Sequence, residues 1–246
     1  MEKLISTSKN RNMLYQIGTI RSLLGGVYEG DMSFDELAHH GNFGIGTFDA
    51  VNGEMIAIDG YFYRIDAEGK AHRVSPDMKT PFALVTHFEH RYSYVLDRCS
   101  GLEVLEKQIL SLLKSKNIIY ALHLEGHFSS IDIRSEHPQP QGHKPLSETI
   151  SQVQTSFTFK GISGTVVGFW FPEYMKAINI PGFHFHFLNR SRQVGGHIFD
   201  LHLGHGTLEI MPIYDFGMHL IHTPLFEYIN LDGENDAAVK RVEKKS

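Results

Sequence analysis

Three histidines fall where a metal ion could use them. Gly182-Phe183-His184-Phe185-His186-Phe187 is followed by a polar stretch and then Gly195-Gly196-His197-Ile198-Phe199. Residues two apart on an extended strand project from one face. His184 and His186 therefore point one way and the three phenylalanines the other. Asn189 to Gln193 has the polar content of a hairpin loop. With that loop centred on Ser191 and Arg192, His186 lies directly opposite His197. Facing residues on antiparallel strands hold their Cβ atoms about 5 Å apart, so three imidazoles converge. Three histidine ligands leave coordination positions open, as catalytic rather than structural zinc sites do. Gly195-Gly196 is where a bulge would shift this register. The plain alternative is a histidine-rich sheet surface in a chain with 16 histidines.

Two further residues have types suited to chemistry. Glu54 opens Glu54-Met55-Ile56-Ala57-Ile58 and shares a strand face with Ile56 and Ile58. A carboxylate on an apolar face is desolvated, which favours its protonated form and suits it to proton transfer near neutrality. The other reading is an edge position from which Glu54 reaches water after the Asn52-Gly53 turn. Arg134 ends Ser130-Ile131-Asp132-Ile133-Arg134, where its planar guanidinium can grip a carboxylate with two hydrogen bonds, or pair with Asp132 on the same face. Other histidines carry less. His202 and His205 project from opposite strand faces, and His123-Leu124-Glu125-Gly126-His127 has its glutamate displaced from the zinc-protease position and alternates like a strand. The pairs His39-His40, His87 with His90, and His219 with His222 read as surface residues.

The elements that must position these groups are mostly strands. Ser33-Phe34-Asp35-Glu36 and Ser100-Gly101-Leu102-Glu103 both read as helix-start capping boxes, and Leu102, Leu105, Ile109, Leu112 and Leu113 continue the second at helical spacing. Gly44 to Val74 reads as a β meander with turns at Asn52-Gly53 and Glu68-Gly69. Thr80 to Leu96, Asn117 to Ile133, Thr155 to Phe171 and Phe183 to Ile210 read as strands. Pro138 to Pro145 is the best linker. The fold class is therefore α+β, with two sheet-rich subdomains, few helices and the metal site on a β-hairpin. Residues 1–145 form the N-terminal mixed-sheet subdomain and 146–246 the C-terminal sheet subdomain with the metal ligands. Asp236 to Lys245 is a charged, helical tail.

Composition narrows the function. At 246 residues, 41% hydrophobic, 21% charged and with a net charge of -5, the chain has an ordinary globular balance. It offers no electrostatic footprint for nucleic acid or an anionic membrane. A single cysteine, Cys99, forms no intrachain disulfide and reads as a small buried hydrophobe. The N-terminus lacks an apolar signal core and no run approaches a membrane span, so a cytoplasmic protein is expected.

The chain resembles the α-acetolactate decarboxylases from Tyr15 through Glu243. The marks are Gly30-Asp31-Met32, Gly44-Ile45-Gly46-Thr47-Phe48, Asn52-Gly53-Glu54-Met55-Ile56-Ala57-Ile58-Asp59-Gly60, Thr80-Pro81-Phe82, Gly161-Ile162-Ser163-Gly164-Thr165, Pro172-Glu173-Tyr174 and Gly206-Thr207-Leu208-Glu209, besides the two histidine motifs. Ser135-Glu136-His137-Pro138 is more polar than the family leads one to expect. The resemblance implies Zn²⁺ on His184, His186 and His197, with another divalent transition metal able to replace it. It implies catalytic roles for Glu54, Arg134 and, by position, the tail residue Glu243, and a homodimer. The implied reaction is decarboxylation of 2-acetolactate to acetoin and CO₂. The metal chelates the hydroxyl and keto oxygens and stabilises the enediolate, Arg134 holds the carboxylate, and Glu54 or Arg134 supplies the proton.

Two other classes use similar residues. A cupin-like metal oxygenase also carries His-x-His on a strand, but with a glutamate a few residues on, where this chain has Arg190. A non-catalytic metal-binding module would use the three histidines and need neither Glu54 nor Arg134.

Overall fold

Apolar and polar residues alternate through most of the chain, and the alternation is realised as strands. The computed structural model describes residues 13–139, 145–146 and 154–231. In chain order the elements begin with β1 (Met13–Ile17), helix α1 (Ile20–Leu24), β2 (Met32–Ser33), α2 (Phe34–Leu37), β3 (Phe43–Thr47), β4 (Glu54–Ile58), β5 (Tyr61–Ile65), β6 (Ala71–Arg73), β7 (Lys79–Thr80) and β8 (Ala83–Thr86). Then come β9 (Tyr92–Leu96), β10 (Cys99–Ser100), α3 (Leu102–Leu112), β11 (Ile119–Glu136), β12 (Gln154–Phe171), β13 (Gly182–Asn189), β14 (Gly195–Ile213), β15 (Asp215–His219) and α4 (Pro224–Tyr228). Strands with few, short helices make this the α+β class read from the sequence. Among the described residues, no helix is long and apolar enough to cross a membrane.

Two large sheets face each other. The first has seven strands in the order β15-β1-β8-β3-β4-β5-β6. The second runs β10-β14-β11-β12-β13, with β9 also on β14, and β13 pairs back onto β14 so that its central strands close on themselves. Ile45, Ile56 and Leu84 of the first sheet, with Phe82 just before β8, pack against Ala121, Val167, Phe169 and Met211 of the second. On the outer side of the second sheet, Leu105 and Ile109 of α3 bury against Leu122, Leu201 and Ile210. On the outer side of the first, Phe34, Leu37 and Phe48 cover Met55 and Ala57.

Several local readings change. Asn52-Gly53 does end a β3–β4 hairpin, but Thr47 pairs with Glu54, so the connection spans the intervening residues and carries positive φ at Ala50 and Val51. The tight two-residue hairpin is the next one. Ile58 pairs with Tyr61, and Asp59 and Gly60 both adopt positive φ, as a type I′ turn requires. Helix α3 starts at Gly101 without a side-chain cap of its own. Asp200, from β14, accepts the Leu102 N–H at 2.7 Å and takes the place of the Ser100 capping box. A division at residue 145 does not separate the two sheets. Strands β9, β10 and β11 pair in the second sheet, while β15 returns to the first beside β1. The tail from residue 232 onward lies outside the described residues.

Candidate metal centre and active site

Strand register builds the site. His186 of β13 pairs directly with His197 of β14, the pairing that a loop centred on Ser191-Arg192 dictates. On its other side His197 pairs with Arg134 of β11. Facing residues on antiparallel strands share a face, so His186, His197 and Arg134 form one cross-strand row. His184 and Glu136 join that face as the residues two along from His186 and Arg134. Close approach of the strands depends on Gly196, where a Cβ would lie 2.3 Å from the Arg134 carbonyl oxygen.

The three imidazoles are buried and converge, with one ring nitrogen from each within 4.8 Å of the others. His186 Nδ1 donates to the Met55 carbonyl at 2.9 Å, which leaves its Nε2 as a lone pair. That Nε2 lies 3.2 Å from His184 Nε2 and 3.3 Å from Glu54 Oε2. Burial lowers all three histidine pKa values. Burial, helped by Arg134, pushes His184 down to about 3. Burial takes His186 well below its ordinary value, with His184 and Arg134 adding to it while the Met55 carbonyl opposes. Burial and then Arg134 do the same to His197. Neutral imidazoles are the form that binds a metal. The His184 Nδ1 is buried without a hydrogen-bond partner. Two facing imidazole nitrogens and a carboxylate oxygen form an electron-rich pocket that a cation would satisfy. Ligands about 2.0–2.1 Å from one tetrahedral ion sit roughly 3.3 Å apart, which is the spacing between the His184 and His186 nitrogens. The residues present therefore fit a divalent metal.

Glu54 is buried at the start of β4 and reaches the histidines across the gap between the sheets. It does not take the water-facing edge position. Arg134 is 2% exposed. It does not pair with Asp132, which accepts from Thr158 Oγ1 at 2.6 Å. A register shift between Asp132 and Ile133 falls between the two residues. Arg134 instead lies 3.4 Å from Glu136 Oε1, donates to Gln154 Oε1 at 3.1 Å and stands 5.0 Å above the Phe199 ring. Sequence reasoning missed Glu136, Gln154 and Phe199. The signal for Glu136 was its place two residues beyond Arg134. Gln154 and Phe199 needed the strand pairing.

A cavity of about 40 Å³, room for an ion and a water, is bounded by Glu54, Arg134, Glu136 and the three histidines, with Ile20, Leu23, Val51 and Phe82 as apolar walls. His184 and His197 also line a wider groove of about 670 Å³ between α3 and β13. Glu243 lies outside the described residues. The last described residue before it, Leu231, is held through its carbonyl by Arg21 of α1, the helix whose Ile20 and Leu23 line the cavity.

The remaining histidines gather elsewhere. His90 and His123 flank Glu209 at 3.2 and 3.0 Å. His127 meets Ser163 and stacks on His205. His219 pairs with Asp31, and His40 stacks on Tyr15. The segment from His123 to His127 is strand, not a zinc-protease helix.

A buried triad of imidazoles on a closed sheet, faced by a carboxylate and a guanidinium, is the makeup of a metal-dependent enzyme of sheet-rich α+β architecture. The comparisons with known proteins narrow the class. A family profile described as alpha-acetolactate decarboxylase matches residues 14–233. The alpha-acetolactate decarboxylase of Methanosarcina mazei is 41% identical over 218 residues, covering 87% of this chain and 75% of that protein. The crystal structure of the Bacillus subtilis strain 168 enzyme superposes with a TM-score of 0.92 at 35% identity, over 95% of this chain and all of that one. A Staphylococcus aureus protein, described as of unknown function and similar to alpha-acetolactate decarboxylase, superposes at 0.88 with 28% identity. The chain belongs to the alpha-acetolactate decarboxylase family.

Proposed function

We propose that this protein decarboxylates 2-acetolactate to acetoin and CO₂ at the three-histidine centre. The observation that carries the reading is the convergence of His184, His186 and His197 with Glu54 and Arg134 in one cavity of a chain belonging to this family. We take the metal to be zinc, the ion three imidazoles with open positions suit best. When bound, it supplies a Lewis acid for the charge left behind as CO₂ departs.

The chain's own residues do the rest. Arg134 binds and orients the substrate carboxylate, and its buried setting strengthens that contact relative to water. The groove beside α3 gives substrate access to the face of His184 and His197. Ile20, Leu23, Val51 and Phe82 exclude water, so the proton that replaces CO₂ on carbon comes from a fixed donor. Glu54 is that donor, placed on the histidine side of the cavity by β4. Glu243 is assigned its role by the family resemblance, and Leu231, the last described residue before it, is held by Arg21 of α1. The working unit is a homodimer, which sedimentation measures directly.

The deciding experiment follows acetoin formation from racemic acetolactate with purified protein, before and after metal removal by a chelator. Activity is lost with the metal and returns with Zn²⁺. Full turnover by metal-free protein sinks the reading. Oxygen consumption with Fe(II) would favour a cupin-like oxygenase, and tight metal binding without turnover a storage module.

A further inference from the structure

We propose that Glu136 is a positioning residue that holds the Arg134 guanidinium towards the three-histidine centre. The role rests on the reading of Arg134 above and goes beyond it. Arg134 and Glu136 share one face of β11 and are 2% and 3% exposed. Both border the cavity that the histidines border. A buried arginine has several rotamers and a full charge, so something must fix its direction. Three groups surround it. Glu136 Oε1 approaches Nε at 3.4 Å, Gln154 Oε1 accepts from Nη1 at 3.1 Å, and the Phe199 ring lies under Cζ at 5.0 Å.

These groups come from three strands, and the pairing explains their meeting. Glu136 pairs directly with Gln154 of β12, so acid and amide stand side by side. Phe199 is the extra residue that the register shift inserts into β14 opposite Asp132 and Ile133. Of the three, only Glu136 carries charge. Its Oε1 stands 3.4 Å from Nε, an ion-pair contact and not a hydrogen bond, and Nε is buried. The hold is therefore an ion pair in a low-dielectric setting, where attraction falls off slowly and orients strongly. Contacts at Nε and Nη1 direct the Nη2 end of the fork. Glu136 acts through Arg134 and need not touch substrate.

The test measures order of the guanidinium as well as rate. In protein labelled with ¹⁵N-arginine, the Nε–H signal of Arg134 is assigned by its loss in Arg134→Lys. Its order parameter in the wild type is expected at about 0.8 or above, the rigid range. In Glu136→Leu, which conserves volume, it drops below about 0.6 and kcat falls on the order of a hundredfold with a smaller change in KM. Glu136→Gln keeps the shape without the charge, so it falls between the two, with kcat about three- to tenfold down. A mobile Nε in the wild type overturns the proposal. So does an order parameter and kcat unchanged in both variants, even if their melting temperatures drop, since that is a merely structural role. Should Glu136→Leu fail to fold, the Gln variant decides by the same two readouts. If the wild type turns over no acetolactate but its Nε order depends on Glu136, the decarboxylase reading fails and the clamp stands.

Discussion

The histidines of the centre and those of the surface differ in one respect that decides what they can do. His72 meets Asp66, His219 meets Asp31 and His90 meets Glu209, each a partly exposed imidazole paired with a carboxylate. Such a ring already has an acidic partner. The rings of His184, His186 and His197 are buried, held neutral, and aimed at one another. The surface pairs satisfy themselves. At the centre the His184 and His186 Nε2 atoms face each other where a cation would fit, and His184 Nδ1 is buried without a hydrogen-bond partner. Desolvation and convergence, rather than the number of histidines, distinguish a metal centre from a histidine-rich surface.

Substitutions can break this contrast. His186→Ala removes the ligand whose tautomer Met55 fixes, and it is expected to lower acetoin formation on the order of a thousandfold or more and to lower bound metal measured by mass spectrometry. The same change at His205, an exposed ring stacked on His127, leaves both within about twofold. Equal losses at the two positions would erase the distinction. Arg134→Met is expected next, with kcat/KM down on the order of a hundredfold, and Arg134→Lys restores little because an ammonium cannot reproduce the planar fork. Glu54→Gln follows, with kcat down about ten- to a hundredfold, the usual worth of a positioned proton donor. Full turnover by that variant would move the donor role elsewhere, with Glu243 the next residue to replace.

The contrast was legible in the sequence only where it was local. Two-residue alternation put His184 and His186 on one face, and a polar loop of fixed length set His186 against His197. Both inferences needed only neighbours along the chain. Glu54 and Arg134 could be nominated but not placed. His186 meets Glu54 across the packing of the two sheets, and Glu136, Gln154 and Phe199 meet Arg134 along β11 and its pairing with β12 and β14. The bulge beside Arg134 left no local trace, because the extra residue, Phe199, sits on the partner strand while β11 keeps its register against β12. Glu136 obeyed the same alternation rule as the histidine pair and was still passed over among polar neighbours. Long-range hydrogen bonds also rewrote the helix start at Gly101 and the sheet membership around residue 145. Asp200 and β14 lie far along the chain from the segments they complete.

Acid sharpens the contrast through stability. The three buried histidines have folded pKa values below the ordinary 6.5, with His184 near 3. Unfolding frees them to bind protons at pH values between those limits. By linkage, the stability of metal-depleted protein is full above about pH 6.5 and declines as pH falls below it. Denaturant titrations of metal-depleted protein between pH 7 and pH 4 should show that decline. Metal-loaded protein resists it until the ligands protonate and release the ion. A flat profile for the depleted protein would mean that the rings gain access to water once the ion is gone.

The smallest effect lies on the surface side and has a separate origin. Asp66 sits in the turn between β5 and β6. Its Oδ1 accepts the backbone N–H groups of Glu68 and Lys70 at 3.0 and 2.9 Å, and its Oδ2 meets His72 at 2.5 Å. Burial pushes its pKa up, but His72 and the two backbone donors outweigh that and hold it below the ordinary 3.8. A depressed carboxyl contributes stability that is present above its unfolded pKa and lost as pH falls through the folded one. Asp66→Ala removes the turn's internal acceptor and is expected to cost about 1 kcal/mol at neutral pH, with kcat unchanged. As pH falls through the depressed pKa of the wild-type carboxyl, the variant and the wild type should converge, because that carboxyl is then protonated as well. Should Asp66→Ala instead reduce turnover, the turn would be coupled to the centre through the Gly195 N–H, which donates to the Gly69 carbonyl at 3.1 Å two residues before His197. Surface and centre would then no longer be separate in their energetics.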